Sequence, residues 1–431
     1  MRVLLINQTF HPDVVSSGQH LSGLARRLAE GGNEVTVITS RRGYDDSTKL
    51  FPRKENWHGV NVCRIFNTGF SKGAKWKRAM NFATFLCCCF CRMLLLPKQD
   101  VVLAMTSPPL VSALAAAFSW LRGARFCYWV MDLNPDEAIA AGWLSTTSLP
   151  ARLLEQLSRF SLRQASAIVV LDRFMQERIL AKGIEAEKIK VLPPWSHDAE
   201  IQFNPEGRLQ FRRQHGLDGK FVVMYSGNHS PCHPLDTILG AARRLRESNE
   251  IAFCFIGGGA EFRRVKRFAN EESLSNIVCL PYQPLDCLSA SLSAGDLHLV
   301  VMGNPFVGVV HPCKAYNILR IGLPILYIGP KPSHISEALQ NLNGEYVWRH
   351  VAHGEVTQTV KQIAELRKKI QSGVKVPFST ASNEFSEEVL VPRLVRLLDS
   401  IAKPSPVFPR PERGHSCSQQ LPQPSAKHVT N

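Results

Sequence analysis

Several features are missing from this chain of 431 residues, and each absence excludes a class of protein. The chain lacks the two CxxC pairs of a zinc ribbon, so a zinc site has little support. It has no ribonucleoprotein aromatic motif and no long basic helix, so a nucleic-acid partner is not indicated. Its opening residues, MRVLLINQTF, lack the long apolar core of a signal peptide, and we expect the chain to stay in the cytosol.

Acidic residues are also scarce relative to basic ones. The chain has 51 lysines and arginines against 36 aspartates and glutamates, a formal charge of +15. This excess favours anionic partners such as nucleotides and phospholipid headgroups. The twelve cysteines lie mainly in apolar runs and strand-like segments, which is typical of reduced, buried thiols and not of a disulfide framework.

What is present is a repeated alternation of short apolar runs and amphipathic segments. RVLLIN (2–7) predicts a strand, QHLSGLARRLAEGG (19–32) a helix, and EVTVITS (34–40) a second strand. Further strands are predicted at 100–105, 124–132, 166–172 and 188–194, and the pattern restarts with strands at 220–228, 251–259, 276–282 and 296–302. Strands that alternate with helices imply parallel sheets covered by helices. We therefore predict an α/β protein of two doubly wound, Rossmann-like domains that face a central cleft.

The length of the chain fits two domains of about 200 residues each. We predict an amino-terminal domain at 1–200 and a carboxyl-terminal domain at 201–385, since residues 196–218 are polar and irregular. A last apolar helix is predicted at 386–402 and should pack back on the fold. Residues 403–431 contain six prolines with scattered serine and glutamine, which predicts a disordered tail.

Ligands of open parallel sheets bind beyond the carboxyl ends of the strands, so the residues that follow each strand are the candidate site. These residues are Gly18 in the first loop just before the first helix, Asp132, Gly227, Asn228, His229, Gly257, Gly258, Gly259 and Tyr282. Two loop histidines, His11 and His229, are either exposed or in contact with a ligand. The first loop is not a GxGxxG followed closely by an acidic residue, so a nicotinamide cofactor is not favoured.

The segment HPCKAYN (311–317) places a lysine near the start of a predicted helix. Pro312 suits the first helical position, because its missing donor would be unpaired there. The amides of a helix start attract anions, and Lys314 adds a full positive charge to them. This arrangement suits a phosphate or diphosphate, although a lone lysine at a helix start is more often simply solvated.

As a set, these segments resemble the retaining family 4 glycosyltransferases of the GT-B fold. Within that family they are most similar to the WbuB-like branch of O-antigen, capsule and exopolysaccharide enzymes. The matching stretches include FHPDVVSSG, RFCYWVMDLNPDEAIAAGWL, MYSGNHSPCHPLDTIL, FIGGG and HPCKAYNILRIGLPIL, in order over about residues 1–330.

The resemblance implies that a sugar is transferred from a UDP- or GDP-linked donor to a lipid-linked or glycan acceptor in cell-envelope polysaccharide biosynthesis. The carboxyl-terminal domain would bind the donor and the amino-terminal domain the acceptor. The donor-binding residues would be Gly18, Gly227, Asn228, His229, Gly257, Gly258, Gly259, Tyr282, Lys314 and Asn317. No metal and no other cofactor is implied.

Two catalytic roles follow from the same resemblance. Lys314 would stabilise the diphosphate as it leaves. Asp132 would orient or deprotonate the acceptor hydroxyl. A cap for the helix that follows, in NPDEAIAAG, explains Asp132 about equally well.

The chain also departs from the family pattern. Many members carry two glutamates eight positions apart, where this chain has Val309 and Asn317. An arginine and a lysine of many members are replaced by Asn228 and His233, which leaves Lys314 as the main cation. Two alternatives therefore stay open: a catalytically inactive nucleotide-binding subunit of a polysaccharide assembly complex, and a GT-B nucleotide-sugar 2-epimerase.

Residues 71–97 join four basic residues to an apolar helix of about 16 residues. This length is short for a membrane span, which needs about 20 residues. A basic, aromatic-rimmed helix of this kind lies in the bilayer interface. We expect peripheral association with the cytoplasmic face of the inner membrane, although a buried core helix with a basic lead-in fits the same pattern.

Overall fold

The computed structural model describes residues 1–403 except 14, 45, 71–74, 197–200, 343–346 and 373–383. The predicted tail beyond residue 403 therefore lies outside the described residues. Within them, the chain forms two sheets, each covered by helices on both faces, as the alternation of strands and helices predicts.

The amino-terminal sheet has the strand order β3-β4-β2-β1-β5-β6-β7-β8. Its strands are β1 Arg2–Ile6, β2 Glu34–Ser40, β3 Lys54–Trp57, β4 Val60–Ile65, β5 Val101–Ala104, β6 Arg125–Trp129, β7 Ala167–Val170 and β8 Ile189–Val191. All its pairs are parallel except β3 with β4. In the centre, Leu5 pairs with Val37 on one side and with Leu103 on the other. Such strands are buried on both faces, which explains their continuous apolar sequences.

The antiparallel pair β3–β4 is a hairpin that the predicted elements do not include. Its turn is formed by His58 and Gly59, both with positive φ (48° and 80°), as a two-residue hairpin turn requires. The segment is charged and lies at the sheet edge, so it lacks the apolar run that marks the other strands.

Helices of this domain cover the sheet from both sides. They are α1 Ser16–Glu30, α2 Lys75–Leu94, α3 Val111–Arg122, α4 Asp136–Ala140, α5 Leu149–Gln164 and α6 Arg173–Ala181. The spacing that predicts the first helix is confirmed, because Leu21, Leu24, Ala25 and Leu28 are all buried. The sixth helix begins at a side-chain cap, since Asp172 accepts a hydrogen bond of 2.8 Å from the amide of Met175.

The second sheet has the order β11-β10-β9-β12-β13-β14, and its pairs are parallel. Its strands are β9 Phe221–Asn228, β10 Ile251–Gly258, β11 Ile277–Leu280, β12 Leu297–Val301, β13 Ile325–Ile328 and β14 Trp348–Val351. Its helices are α7 Pro205–Gln214, α8 Asp236–Arg244, α9 Ala260–Glu271, α10 Leu288–Ser293, α11 Lys314–Ile321, α12 His334–Gln340 and α13 Val356–Gln371. The predicted boundary near residue 200 falls between the two sheets.

The last helix, α14 (Glu387–Ala402), returns to the amino-terminal domain. Its buried residues Leu390, Val391, Leu394 and Leu398 join the core that contains α1. An ion pair of 3.2 Å between Arg26 and Glu387 lies beside this contact. The chain therefore crosses between the domains twice, which ties the second domain to the first at both of its ends.

The carboxyl edges of the two sheets meet through the loop between β12 and α11. The amide of Leu133, after β6, donates to the carbonyl of Val309 at 2.8 Å. Arg178 of α6 donates to the carbonyl of Val307 at 2.7 Å, and Arg173 forms an ion pair with Glu337. Because both partners of each contact follow the carboxyl ends of strands, the cleft lies where Rossmann-like domains bind ligands.

The helix predicted within 71–97 is longer than expected, since α2 has 20 residues, from Lys75 to Leu94. Phe85, Cys89 and Met93 form its buried face. Even so, none of the helices in the described residues has both the length and the apolarity to cross a membrane. The cysteines of the described residues are all free thiols, as predicted.

Candidate active site

Lys314 is the first residue of α11, and its ammonium group points into the carboxyl-terminal domain's edge of the cleft. Nζ lies 3.4 Å from the centroid of the Tyr225 ring. The nitrogen is buried and has no hydrogen-bond partner among the described residues. Burial lowers the pKa of Lys314 well below its usual value, because desolvation disfavours the charged ammonium form. A buried ammonium group in such a position is suited to pairing with an anion.

The position of Pro312 differs from the prediction. The helix begins at Lys314, with Cys313 at the N-cap position. Pro312 therefore precedes the helix and is not its first residue. The amides of Ala315 and Tyr316 donate to the carbonyls of Pro312 and Cys313, each at 3.2 Å. The ammonium group of Lys314 therefore contributes more to an anion site here than the helix amides do.

Gly227, near the end of β9, lies next to Lys314, and Gly257 of β10 pairs with it. Gly227 has φ of +126°, and a Cβ there would lie 3.4 Å from both Cε and Nζ of Lys314. Across the strand pair, Gly257 has φ of +137°, and a Cβ there would lie 2.1 Å from the Gly227 carbonyl oxygen. Only glycine fits both positions, so the two backbones approach closely where a ligand would bind.

Four further predicted donor-binding residues follow β9 and β10 or lie near them, and a fifth, Asn317, lies in α11. Asn228 ends β9 and is exposed, and Gly258 and Gly259 connect β10 to α9. A Cβ at Gly258 would lie 2.9 Å from the Tyr282 ring, so this ring covers the glycine turn. Asn317 lies half-buried in α11.

Two histidines near Lys314 are structural. His229, expected as a loop residue, is fully buried; its Nδ1 lies 2.9 Å from the Gly227 carbonyl and its amide donates to Gly258. Burial, and then the charge of Lys314, lowers its pKa to about 3. The same two causes lower the pKa of His233 to about 3, and its Nδ1 lies 2.7 Å from the Val301 carbonyl. Both rings are neutral, so neither replaces a cation at this site.

Two other predicted positions need correction. Gly18 lies inside the first turn of α1 and not in the loop before it. A Cβ there would lie 3.1 Å from Thr9 Oγ1, so the glycine lets α1 pack on the first loop. His11 stacks on Trp57 with ring centroids 4.8 Å apart, which gives it a packing role.

Asp132 follows β6 on the opposite side of the cleft. It does not cap the next helix, because the residue before α4 is Pro135. Burial, and then the charge of Glu137, raises the pKa of Asp132 to about 8. The carboxylate also lies near Cys313, since burial, followed by the charge of Asp132, raises the pKa of that thiol to about 12.

Sequence reasoning missed three contributors to this region. Tyr225 lies in an apolar strand, which predicts only a core residue. The charge of Glu137 helps to raise the pKa of Asp132. The thiol of Cys232 donates to Oε1 of Glu137 at 3.8 Å. Asp172, His311 and His334 form a buried group across the domain boundary, with one ligand atom of each within 4.8 Å of the others. Only Asp136 and Glu137, the acidic pair that ends DLNPDE, offered a local signal, because this pair lies between apolar residues.

Two Rossmann-like domains with a shared cleft define the GT-B architecture, and solved structures agree. Sucrose-phosphate synthase from Thermosynechococcus elongatus superposes with a TM-score of 0.72 at 14% identity, over 93% of this chain and 99% of that one. HepE of Anabaena, solved with UDP-glucose, gives a TM-score of 0.69 at 16% identity, over 93% and 100% of the two chains. At these identities the likeness concerns the fold.

Sequence comparisons are more specific. Residues 17–195 match the family model of the glycosyl transferase 4-like domain. WcaI of Escherichia coli (strain K12), named for glycosyl transfer in colanic acid biosynthesis, is 26% identical over 335 residues, 75% of this chain and 82% of WcaI. WbjE of Pseudomonas aeruginosa, named as a glycosyltransferase, is 27% identical over 294 residues, 68% and 72% of the two chains. Residues 17–195 thus contain a glycosyl transferase 4-like domain, and the chain has the GT-B fold and is similar to glycosyltransferases that include one named for colanic acid biosynthesis.

Proposed function

We propose that this protein moves a sugar, with retention of its anomeric configuration, from a nucleotide diphosphate sugar to a lipid-linked or glycan acceptor in cell-envelope polysaccharide biosynthesis. The observation that carries the proposal is the buried, unpaired ammonium group of Lys314 beside Gly227. A diphosphate would supply the missing counter-charge. The close approach of β9 and β10 leaves room for it at the strand ends.

In this proposal the donor nucleotide, UDP- or GDP-linked, lies over the glycines of β10 and α9, with the Tyr282 ring at its border. Lys314 stabilises the negative charge that develops on the diphosphate as the bond to the sugar breaks. Its own pKa rises when the anion binds, because an opposite charge favours the ammonium form. The proposed reaction uses no metal, and Lys314 partly offsets the negative charge of the leaving group.

Asp132 is the proposed catalytic carboxylate on the acceptor side. A pKa of about 8 lies close to physiological pH, where a group exchanges protons most effectively with a substrate hydroxyl. Its charge acts on Cys313, the residue before Lys314, which supports a role close to the proposed diphosphate site. We assign it the orientation or deprotonation of the acceptor hydroxyl.

The lipid-linked acceptor and the peripheral attachment to the cytoplasmic face of the inner membrane are parts of the same proposal. An apolar patch formed by Leu94, Leu95, Trp120 and Leu121 supports them, with exposed fractions of 49%, 75%, 72% and 64%. The four side chains come from neighbouring segments, because Arg122 donates to the Leu96 carbonyl at 3.0 Å and joins α3 to the end of α2. Exposed apolar side chains flanked by basic residues are typical of surfaces that contact anionic bilayers.

Calorimetry with UDP and GDP tests the donor site. We expect the wild-type protein to bind one of them, Lys314→Met to lose at least tenfold in affinity, and Lys361→Met, which changes an exposed lysine of α13, to bind normally. Normal binding by Lys314→Met would contradict the site. Assays with a donor and lipid-linked acceptors then separate the activities: turnover of a soluble nucleotide sugar alone indicates an epimerase, and binding without turnover an inactive subunit.

A further inference from the structure

A chain of buried side chains crosses from the amino-terminal domain to the helix that carries Lys314. The two carboxylate oxygens of Asp172 have partners in different domains. Oδ1 caps α6, and Oδ2 lies 2.8 Å from Nδ1 of His311 in the other domain. The other nitrogen of His311, Nε2, lies 2.7 Å from the hydroxyl of Tyr316. All three residues are buried, so water does not compete for these bonds.

One arrangement of protons satisfies the whole chain. Burial raises the pKa of Tyr316 well above its usual value, so the phenol keeps its proton and donates it to Nε2 of His311. Burial alone would raise the pKa of Asp172, but the hydrogen bond from His311 and the nearby histidines lower it to about 2, so the carboxylate is ionised. Nδ1–H of His311 therefore donates to a charged acceptor, which makes this bond the stronger of the two.

Two residues of this hydrogen-bonded chain flank Lys314 in the sequence. His311 precedes the lysine by three positions and Tyr316 follows it by two. The same helix α6 also fixes the loop before His311, through the bond from Arg178 to Val307 and the packing of Gly308 on the Phe174 backbone. The amino-terminal domain thus fixes the segment that sets the position of the lysine.

We propose that Asp172, acting through His311, is a positioning residue for Lys314, so that the lysine reaches its diphosphate-binding position only while the two domains are docked. The inference rests on the proposed donor site and adds a coupling between that site and the domain interface. An opening of the cleft breaks the Asp172–His311 bond and loosens the segment from His311 to Tyr316. Donor binding and domain closure then favour each other.

Asp172, His311 and His334 also lie close enough to suggest a metal site, but their geometry favours hydrogen bonding. Both nitrogens of His311 already have partners. The two imidazole rings stack with centroids 3.9 Å apart at 19°, so their nitrogen lone pairs run nearly parallel and do not converge on one ion. Metal binding is therefore an outcome that the experiment must distinguish.

Two substitutions of His311 test whether its bond to Asp172 is the one that positions Lys314. In His311→Asn the amide nitrogen replaces Nδ1 and keeps the bond to Asp172, whereas in His311→Gln it replaces Nε2 and loses that bond. We expect His311→Gln and Asp172→Asn to weaken UDP or GDP binding about tenfold, and His311→Asn to stay within about threefold of wild type. In a Lys314→Met background, Asp172→Asn should have no further effect on the affinity. Equal losses in the two His311 variants, or an undiminished effect of Asp172→Asn in that background, would overturn the proposal.

A measurement without nucleotide separates this proposal from that of the donor site. The thiol of Cys313 lies next to Lys314, and mass spectrometry can follow its alkylation. We expect faster labelling of Cys313 in Asp172→Asn and His311→Gln than in wild type and His311→Asn, with the core thiol of Cys254 protected in all of them. If this pattern holds and no nucleotide binds, only the donor-site assignment fails. Uniform labelling of Cys313 overturns the coupling.

A metal site is tested separately, by melting with Zn²⁺. A Zn²⁺-dependent rise in melting temperature that Asp172→Asn, His311→Gln and His334→Ala all abolish would identify a metal site and overturn the coupling.

Discussion

The ammonium nitrogen of Lys314 lies 3.4 Å from the centroid of the Tyr225 ring, and the electron-rich face of this ring attracts it. A cation over a desolvated ring gains about 2 kcal/mol, less than the several kcal/mol that removing an ammonium from water costs. The pair therefore leaves the lysine partly uncompensated. A bound diphosphate would complete the compensation, so this position is suited to an anion.

Donor binding should take up protons. The pKa of Lys314 is lowered well below its usual value by burial, and a bound diphosphate raises it again. Affinity for UDP or GDP should therefore fall as the pH rises through the range where the free lysine loses its proton. Calorimetry in buffers of different ionisation enthalpy measures the proton uptake directly. Lys314→Arg, whose guanidinium stays charged, should show none; identical proton uptake in the two proteins would contradict the role of Lys314.

Replacing the same lysine should stabilise the protein. The folded-state pKa is lowered relative to the unfolded chain, so the unfolded state binds more protons and stability rises with pH until the unfolded lysine deprotonates. At pH 7, Lys314→Met should raise the free energy of unfolding by about 1–3 kcal/mol, since it removes a buried polar group without a partner. Chemical denaturation of wild type and variant at pH 7 and pH 10 checks this, and the gain should shrink at the higher pH. A loss of stability at pH 7 would show that the lysine has a partner.

Asp132→Asn should separate activity from stability. Because the folded pKa of Asp132 is about 8, against 3.8 ordinarily, the wild-type protein loses stability as the pH rises from about 4 to 8, where the unfolded residue is ionised and the folded one is not. The asparagine variant should lack this loss and be more stable than wild type at pH 7. Its transfer rate should fall by about 10²–10⁴, and the rate of wild type should rise with pH up to about 8. Rate–pH profiles and denaturation curves test both halves. A variant that keeps full activity would remove Asp132 from the reaction.

The sequence predicts those parts of the fold that depend on local periodicity. Leu21, Leu24, Ala25 and Leu28 define one face of a helix whatever the rest of the chain does, and the structure buries that face. Element ends were less predictable: the first helix begins before Gly18, and α11 begins after Pro312. Caps and first turns are decided by contacts with neighbouring elements, which a single segment does not encode.

Side-chain neighbours across the cleft were beyond the reach of sequence patterns. Lys314 was predictable as a charge on an apolar segment, but its contact with Tyr225 joins residues from two different strand–helix units. Asp172 is predictable as a helix cap, whereas its bond to His311 spans 139 positions. The Lys314–Tyr225 contact depends on how two units of one domain pack, and the Asp172–His311 bond on how the two domains dock. Local patterns therefore located candidate residues and left their pairing undetermined.

Gly257→Ala should damage both folding and donor binding. The added Cβ would lie 2.1 Å from the Gly227 carbonyl oxygen, at a φ of +137° that alanine rarely adopts. We expect a loss of at least about 3 kcal/mol in the free energy of unfolding. Gly216→Ala is the matched control, because it also has positive φ (+65°) but has no atoms within 4 Å of the added Cβ. That variant should lose about 1 kcal/mol and keep its nucleotide affinity. Similar losses in the two variants would show that φ alone, and not the close approach of β9 and β10, requires the glycine.

The apolar patch should govern attachment to anionic bilayers. Leu95 and Trp120 are exposed to 75% and 72%, so changing them removes little packing and should leave the fold intact. Leu95→Glu and Trp120→Glu together should reduce co-flotation with vesicles of phosphatidylglycerol and phosphatidylcholine by tenfold or more, since each large apolar side chain contributes about 1.5–3 kcal/mol when buried. Leu209→Glu changes an equally apolar residue of the other domain, exposed to 53%, and should bind as wild type does. Binding by the wild type should weaken in high salt and in vesicles of phosphatidylcholine alone, because basic residues attract the anionic headgroups. If the double variant floats with the vesicles as efficiently as Leu209→Glu, the patch does not face the membrane and the attachment lies elsewhere.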